Sequence, residues 1–295
     1  MMMFIQYIKF VSFTLVVTLC ISCSDNEFSE TNHDSALAVN AQIFQGRNDT
    51  YISVSQSFGL GDTLFYADLE LDNIDVTLNT PDQGIFAGFS TLVSNSNDGL
   101  FLPIWQFDYT NFIAGGEYTF RAEKEGLEPV IATVYVPEKP TIIDVEYTPS
   151  VSNSSVVRDR FELTLSDPAN EDNYYYVRAF ELIDDGRFER DFRFYSLPAN
   201  PIDQSFLEEV ITSFSDKDFN GREHTVVFYG ERIKRDQEKV QFQLFQITKD
   251  HYDFIQDYNK FNNDSPISEP VIFNSNIIGG HGIFAISSKP DFVEF

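Results

Sequence analysis

From residue 36 onward the chain is written in short apolar–polar alternations, separated by clusters of Asn, Asp, Gly and Pro. A period of two puts every second side chain on one face, so such runs fold as half-buried strands rather than helices. Residues 117–122 place Tyr118 and Phe120 on one face. Residues 131–136 set Ala132, Val134 and Val136 against Ile131, Thr133 and Tyr135. Glu125-Gly126 falls in the connection, so the two runs read as a hairpin. Residues 36–44, 51–54, 75–78, 84–89 and 99–104 supply further short strands. Turn residues about every 8–12 positions suit a sandwich of antiparallel strands.

Pro137, Pro140 and Pro149 then interrupt the pattern. Proline lacks an N–H and fixes its own φ, so this cluster marks a stiff junction. The boundary is expected near residue 138, with an N-terminal sandwich over 36–138 and a C-terminal β-rich domain over 139–295. In the second half, residues 142–147, 174–182, 190–195, 226–229 and 240–244 read as strands. Phe161, Leu163 and Leu165 alternate with Glu162 and Thr164 in another. Two stretches have helical spacing instead. Residues 203–214 carry Phe206, Leu207, Val210, Ile211 and Phe214. Residues 248–262 begin with Thr248 as N-cap and Asp250 in the first turn, with a stripe of Tyr252, Ile255 and Tyr258 or Phe261. The fold expected is mainly β: two β-sandwich-like domains of immunoglobulin or transthyretin type, the second with one or two short helices.

The first 35 residues are of another kind. Residues 10–21 are almost wholly apolar and follow Lys9. Twelve residues are too few to span a bilayer, which needs about 20, but they suit the core of a secretory signal. Ser22-Cys23 then ends the run, the pattern of a bacterial lipoprotein signal over 1–22, with Cys23 the lipidated residue. Cys20 stands where that signal usually has Leu, and a cysteine is itself a small hydrophobe. An ordinary secretory signal with a chance cysteine is the rival reading. Residues 23–35 read as an acidic flexible tether. Ser24, Asp25, Asn26 and Glu27, directly after the cysteine, are of the type that exports lipoproteins to the outer face of the outer membrane, with Asn26 a neutral gap.

Several function classes are excluded or demoted. The chain of 295 residues has 46 acidic against 20 basic side chains, a net charge of -26. Phosphate binding runs on clustered Lys and Arg, so nucleic acid is not a partner and an anionic membrane surface is disfavoured. Cys20 and Cys23 are the two cysteines of the chain, which excludes a disulfide scaffold and a cysteine zinc site. His33, His224, His251 and His281 form no HExxH pattern. His251 is expected on a helix surface beside Asp250 and Asp253, and His281 in a glycine loop. No G-x-S-x-G elbow occurs, and Gly279-Gly280-His281-Gly282 lacks the Lys-Ser/Thr of a phosphate loop. No catalytic residue is assigned.

The string from Asp216 through Asp218 and Asn220 to Gly221 matches the start of a calcium loop, with oxygen donors at alternate positions and glycine for the turn. Position 227, where the bidentate Glu should fall, is Val227. The bland alternative is an Asx-rich turn before the next strand. Tyr174-Tyr175-Tyr176 must point to both faces of a strand, one of which could be a ligand platform. Trp105, Phe107 and Phe112 are expected in the core.

Five stretches together carry a resemblance: Pro137 after the hairpin; Ser166-Asp167-Pro168 with Glu171, Asn173, Tyr174 and Tyr175; residues 218–221; Tyr252; and Ser275-Asn276-Ile277 leading to Gly280, Gly282, Ile283 and Phe284. In their order and spacing they resemble the Bacteroidota lipoproteins catalogued as domain of unknown function 4249 (DUF4249), over most of residues 36–290. The chain departs from that pattern at His281 and Ala285, where an apolar residue and a glycine are expected. The resemblance implies a lipid-anchored, non-enzymatic accessory to an outer-membrane barrel energised by TonB, and no reaction. A scaffold lipoprotein of another envelope complex is the alternative, and the ligand is unknown.

Overall fold

A computed structural model describes residues 35–46, 52–57, 73–94, 101–153, 156–183, 188–192, 194–195, 213–230, 239–263 and 272–295. The protein is mainly β, as its alternating patterns require, and builds two sandwiches.

The first sandwich faces two sheets together. One sheet has the order β17-β1-β2-β6-β5, made of β1 (Leu37–Ile43), β2 (Ile52–Gln56), β5 (Phe89–Ser94), β6 (Phe101–Gln106) and β17 (Gly280–Ile286). The other has the order β4-β3-β7-β8, made of β3 (Ile74–Thr80), β4 (Gly84–Ala87), β7 (Glu117–Lys124) and β8 (Val130–Tyr135). The predicted hairpin is β7–β8, with Tyr118 opposite Val134 and Phe120 opposite Ala132. These four residues lie in the core with Leu37, Val39, Ile52, Val76, Trp105, Phe107 and Phe112.

Both seams of this sandwich are closed by chain that changes sheets. At one seam the single strand expected over 84–89 is in fact two. β4 ends at Ala87, Gly88 donates its N–H to Val76 O at 2.7 Å, and the chain enters the opposite sheet as β5. A Cβ at Gly88 would press to 3.2 Å from Val76 O, so the crossing favours glycine. At the other seam Ile278 exchanges two backbone hydrogen bonds with Ile131 of β8, at 2.8 and 3.0 Å. Two residues later the chain joins the facing sheet as β17, parallel to β1, with Leu37 beside Gly280 and Ile43 beside Ile286. Residues 277–286, expected within the C-terminal unit over 139–295, therefore complete the N-terminal core. Parallel pairing between strands some 240 residues apart leaves no local signal to read.

The second sandwich pairs the sheet β13-β15-β10-β9 with the sheet β12-β11-β16-β18, β14 adding to β11. Its strands are β9 (Thr141–Asn153), β10 (Val156–Ser166), β11 (Tyr174–Ile183), β12 (Phe188–Asp191), β13 (Phe194–Tyr195), β14 (Ser213–Ser215), β15 (Glu223–Gly230), β16 (Lys239–Ile247) and β18 (Asp291–Glu294). The long strand predicted over 190–195 is again two. β12 and β13 belong to opposite sheets, and Phe192 between them turns into the core. Of the helix predicted over 203–214, residues 203–212 lie outside the described residues, and Phe214 sits on β14.

One described helix, α1 (Lys249–Asn263), follows β16. Thr248 starts it as predicted, its Oγ1 accepting the His251 N–H at 3.3 Å. Its rotation differs from the expected stripe. Ile255 is buried and Tyr252 half-buried, but Tyr258 and Phe261 are exposed and His251 turns inward.

Candidate functional site

Two of the stretches that carried the family resemblance, 166–175 and 218–221, come together at one end of β11, and a third, Tyr252, packs on Tyr174 beside them. Asp167 follows β10 directly, and its two oxygens are both engaged. Oδ1 accepts the Tyr175 hydroxyl at 2.5 Å and Oδ2 accepts the Gly221 N–H at 2.7 Å. Burial and the Asp167 carboxylate together push the Tyr175 hydroxyl far above its ordinary pKa, so it is held as a donor. Asn173, almost wholly buried, gives its Nδ2 to Pro168 O, Glu171 O and Asp216 Oδ2, each at 3.3 Å. Its Oδ1 accepts from the Gln246 side chain. Asn220 Nδ2 reaches Glu171 O at 2.8 Å, and its Oδ1 accepts the Asn170 N–H at 3.2 Å. Asn170 stands at φ 70°, a left-handed turn position that asparagine tolerates.

This network includes the residues of the calcium reading. Residues 216–222 form a turn, Phe219 N–H bonding to Asp216 O and Arg222 N–H to Phe219 O. Asp216 points inward to Asn173, Asp218 points to solvent, and Asn220 Oδ1 is taken by a backbone donor. Calcium takes six to eight oxygens, and Asp216 and Asn220 already have protein partners here. Among the described residues no three or more His, Cys, Asp or Glu side chains stand close enough to hold a metal ion. The arrangement fits the turn of the alternative reading, with Phe219 buried beneath it and stacked on the His224 ring at 3.9 Å.

The three tyrosines divide as the strand period requires. Tyr175 enters the second core, while Tyr174 and Tyr176 face the other way, into a joint between the sandwiches. There Phe44, at the end of β1, stacks on Tyr176 at 4.9 Å and meets Phe245 edge-on at 5.3 Å. Tyr174 packs on Tyr252 of α1 at 5.0 Å. Arg178 stands 5.5 Å from the Phe44 ring and 4.9 Å from that of Phe180, within cation–π range. The tyrosine face is thus covered by the joint.

His251 belongs to this joint, which corrects its expected solvated position. It is 0 % exposed, its ring 5.5 Å from Phe44 and its Nε2 3.0 Å from Gln42 Oε1. Gln42 Oε1 can only accept, so Nε2 carries the proton, and Nδ1 is buried without a partner. Burial lowers its pKa to about 3, so the ring is neutral at ordinary pH. The sequence signal missed here was Gln42, a polar side chain on the outward face of β1.

Ser287 and Ser288, also missed, stitch the joint from consecutive positions. Ser287 N–H donates to Ile43 O at 2.8 Å, and its hydroxyl oxygen accepts the Gln45 N–H at 3.1 Å. Ser288 exchanges two hydrogen bonds with the Gln246 backbone, both at 2.9 Å. One residue holds the first sandwich and the next holds the second. Lys139–Asp291 at 2.7 Å and Ile142 N–H to Asp291 Oδ2 at 2.8 Å fasten the start of β9 to β18 within the second sandwich.

The glycine-rich stretch is strand, not loop. A Cβ at Gly280 would fall 2.2 Å from Leu37 O, and one at Gly282 1.9 Å from Val39 O. These glycines let β17 lie against β1, and His281 projects outward between them. A shallow groove opens where β4 leaves its sheet, lined by Ile74, Val76, Ala87, Gly88 and the cross-strand pair Asp75 and Glu123. Glu123 is already paired with Arg121. Cys23 and Ser24, Asp25, Asn26 and Glu27 lie outside the described residues.

The fold and its polar centre thus define a class: a two-sandwich β protein whose buried polar groups are spent on joining its parts. The chain belongs to the family described as domain of unknown function (DUF4249), which matches residues 25–291. No curated protein matches it. Among solved structures, bovine butyrophilin is similar at 12% sequence identity and a TM-score of 0.22, over 72% of this chain and 92% of that one. So loose a superposition carries no functional argument.

Proposed function

We propose that this protein is a lipid-anchored, surface-exposed accessory subunit of a TonB-dependent outer-membrane transporter, and that it works by binding rather than by catalysis. The observation that carries the reading is the N-terminal order: an apolar run of twelve residues, Ser22-Cys23, then an acidic tether ending where β1 begins. Acyl chains on Cys23 would contribute about 0.8 kcal/mol per buried CH2, enough in combination for stable anchoring. The body suits docking, since the joint ties two sandwiches through buried serines, aromatics and His251. It would present fixed surfaces to a partner at low ordering cost.

The test is purification of the tagged chain from its own envelope in mild detergent, with mass identification of Cys23 acylation and of co-purifying proteins. A stoichiometric TonB-type barrel is the expected result. An acylated chain that brings down a different envelope complex would replace the transport reading with that of a scaffold.

A further inference from the structure

We propose that β1 and β17 form a tension-bearing clamp, which carries a pull on the tether directly to the second sandwich. That a pull enters at the tether rests on the lipid-anchor reading above. Each strand is held at a different end. The tether enters β1 at Leu37, and the joint lies at the other end of the strand, about 20 Å away. There Phe44 stacks on Tyr176 and Gln42 reaches His251. β17 leaves at that same end, where Ser287 N–H bonds to Ile43 O and Ser288 is bonded to the backbone of Gln246 in β16. A pull between tether and second sandwich therefore draws β1 by its first residue and β17 by its last.

The parallel sense of the pair decides what that pull does. Leu37 lies beside Gly280 and Ile43 beside Ile286, so the two held residues are at opposite ends of one ladder. The strands are sheared along their common axis, and the evenly spaced, slanted bonds of a parallel pair strain together. An antiparallel β17 would put its last residue beside Leu37, and the same pull would open the ladder one bond at a time. Register decides which neighbour takes the load. β1 matches β17 at seven positions, from Leu37 to Ile43. On its other side β1 matches β2 at four positions, and β2 matches β6 at two, Ile52 with Trp105 and Ser53 with Ile104. Among the described residues the route through β2 thus narrows to two positions, while the route through β17 keeps seven. Gly280 and Gly282 keep that longer ladder tight, since a Cβ at either would press on Leu37 O or Val39 O. The covalent route from β1 to the second sandwich runs through the whole of the first and is drawn out only after β1 has slipped.

The experiment stretches single molecules of the chain from residue 23 onward, held by the N-terminus and by an azide-bearing side chain in place of Thr225, an exposed residue of β15. Cys23→Ser clears the native thiol, and Ala38→Cys with His281→Cys sets one cysteine on each strand at matching positions. With these thiols reduced, slip of β1 should appear as a lengthening by residues 37–136, about 350 Å of chain. With the disulfide formed the load passes through the S–S bond, and that lengthening should vanish. A lengthening of the same size in the oxidised molecule shows another load path and overturns the proposal. A second geometry moves the azide to Ile278, 73 % exposed and two residues before Gly280, so that both strands are drawn from one end. The slip force in the Thr225 geometry should exceed the force in this peeling geometry at least about twofold, because the bonds break together in one and singly in the other. Equal forces in the two geometries also overturn the proposal. No lipid is present, so acylation of Cys23 is decided by mass and the clamp by force.

Discussion

The two sandwiches solve one packing problem with different materials. The first buries a long aliphatic series, Leu37, Val39, Ile43, Ile52, Val54, Ile74, Val76 and Leu78, which with its other aliphatic residues outnumbers its seven buried rings. The second is built mostly of rings. Phe161 touches Phe192, Phe242 and Phe295 at centroid distances of 5.0–5.7 Å, and Phe228 and Phe194 extend the stack. Aliphatic side chains fill space by alternation, so the first core is distributed over many strands. Aromatic pairs prefer tilted and edge-on geometry at specific angles, so the second depends on a small number of positions. The first is also closed by chain from the far end of the sequence, whereas β9, β10, β11, β15 and β16 build most of the second from its own stretch.

That contrast can be broken from either side. The largest effect should come from Gly282→Val, which forces a side chain to within 1.9 Å of Val39 O at φ +109°. β17 cannot then lie on β1, and a loss of more than about 4 kcal/mol is expected. If the sandwiches fold as separate units, thermal unfolding of this variant becomes biphasic, with the Trp105 signal lost first. Phe161→Ala should cost about 3–5 kcal/mol and act on the second sandwich, visible as early loss of tyrosine signal while Trp105 stays buried. If both variants unfold in one transition, the joint couples the two cores into a single cooperative unit.

Acid sharpens the role of the joint. An unfolded histidine titrates near 6.5, whereas buried His251 stays neutral down to about 3. Between those values the unfolded chain binds the extra proton. Stability is therefore full above about pH 6.5, falls as pH drops through the interval, and loses nothing further from this group below about 3. The loss should be a few kcal/mol, on the order of 1.4 per pH unit traversed. His251→Gln should flatten that slope in denaturant titrations across pH. The smallest effect is expected at the helix start. Thr248→Ala removes the acceptor for His251 N–H and should cost about 1 kcal/mol by chemical denaturation.

What the sequence disclosed and what it hid divide along physical lines. Local alternation was legible. Tyr118, Phe120, Val134, Phe161, Leu163 and Phe242 all face inward, as a period of two requires. Changes of sheet were not, since Gly88 and Phe192 interrupt runs that look continuous in composition. The parallel pairing of β17 with β1 was invisible because no turn joins the strands, and its glycines look like a loop until the close approach to Leu37 and Val39 is known. The helix itself was legible, from Thr248 onward, but its rotation was not. Tyr258 and Phe261 count as apolar in a periodicity argument, yet it is polar His251 that is buried, because Gln42 supplies it an acceptor. At the candidate site, Asp167 and Asn173 were marked by resemblance alone, whereas Gly221 and Tyr175 also stood out in the Asx-rich string and the run of tyrosines. Their hydrogen bonds join them into one network that no local pattern announces.

The parallel contact between β1 and β17 has a consequence in time. Leu37 leaves the ribosome some 240 residues before Gly280. Until residues 280–286 are in place, β1 has one hydrogen-bonding edge lacking its final neighbour. An open edge of alternating apolar residues is a template for pairing with other chains. The interval between making the first strand and making the one that shields it is when this protein is most exposed to aggregation, and a truncation before residue 280 would make that interval permanent.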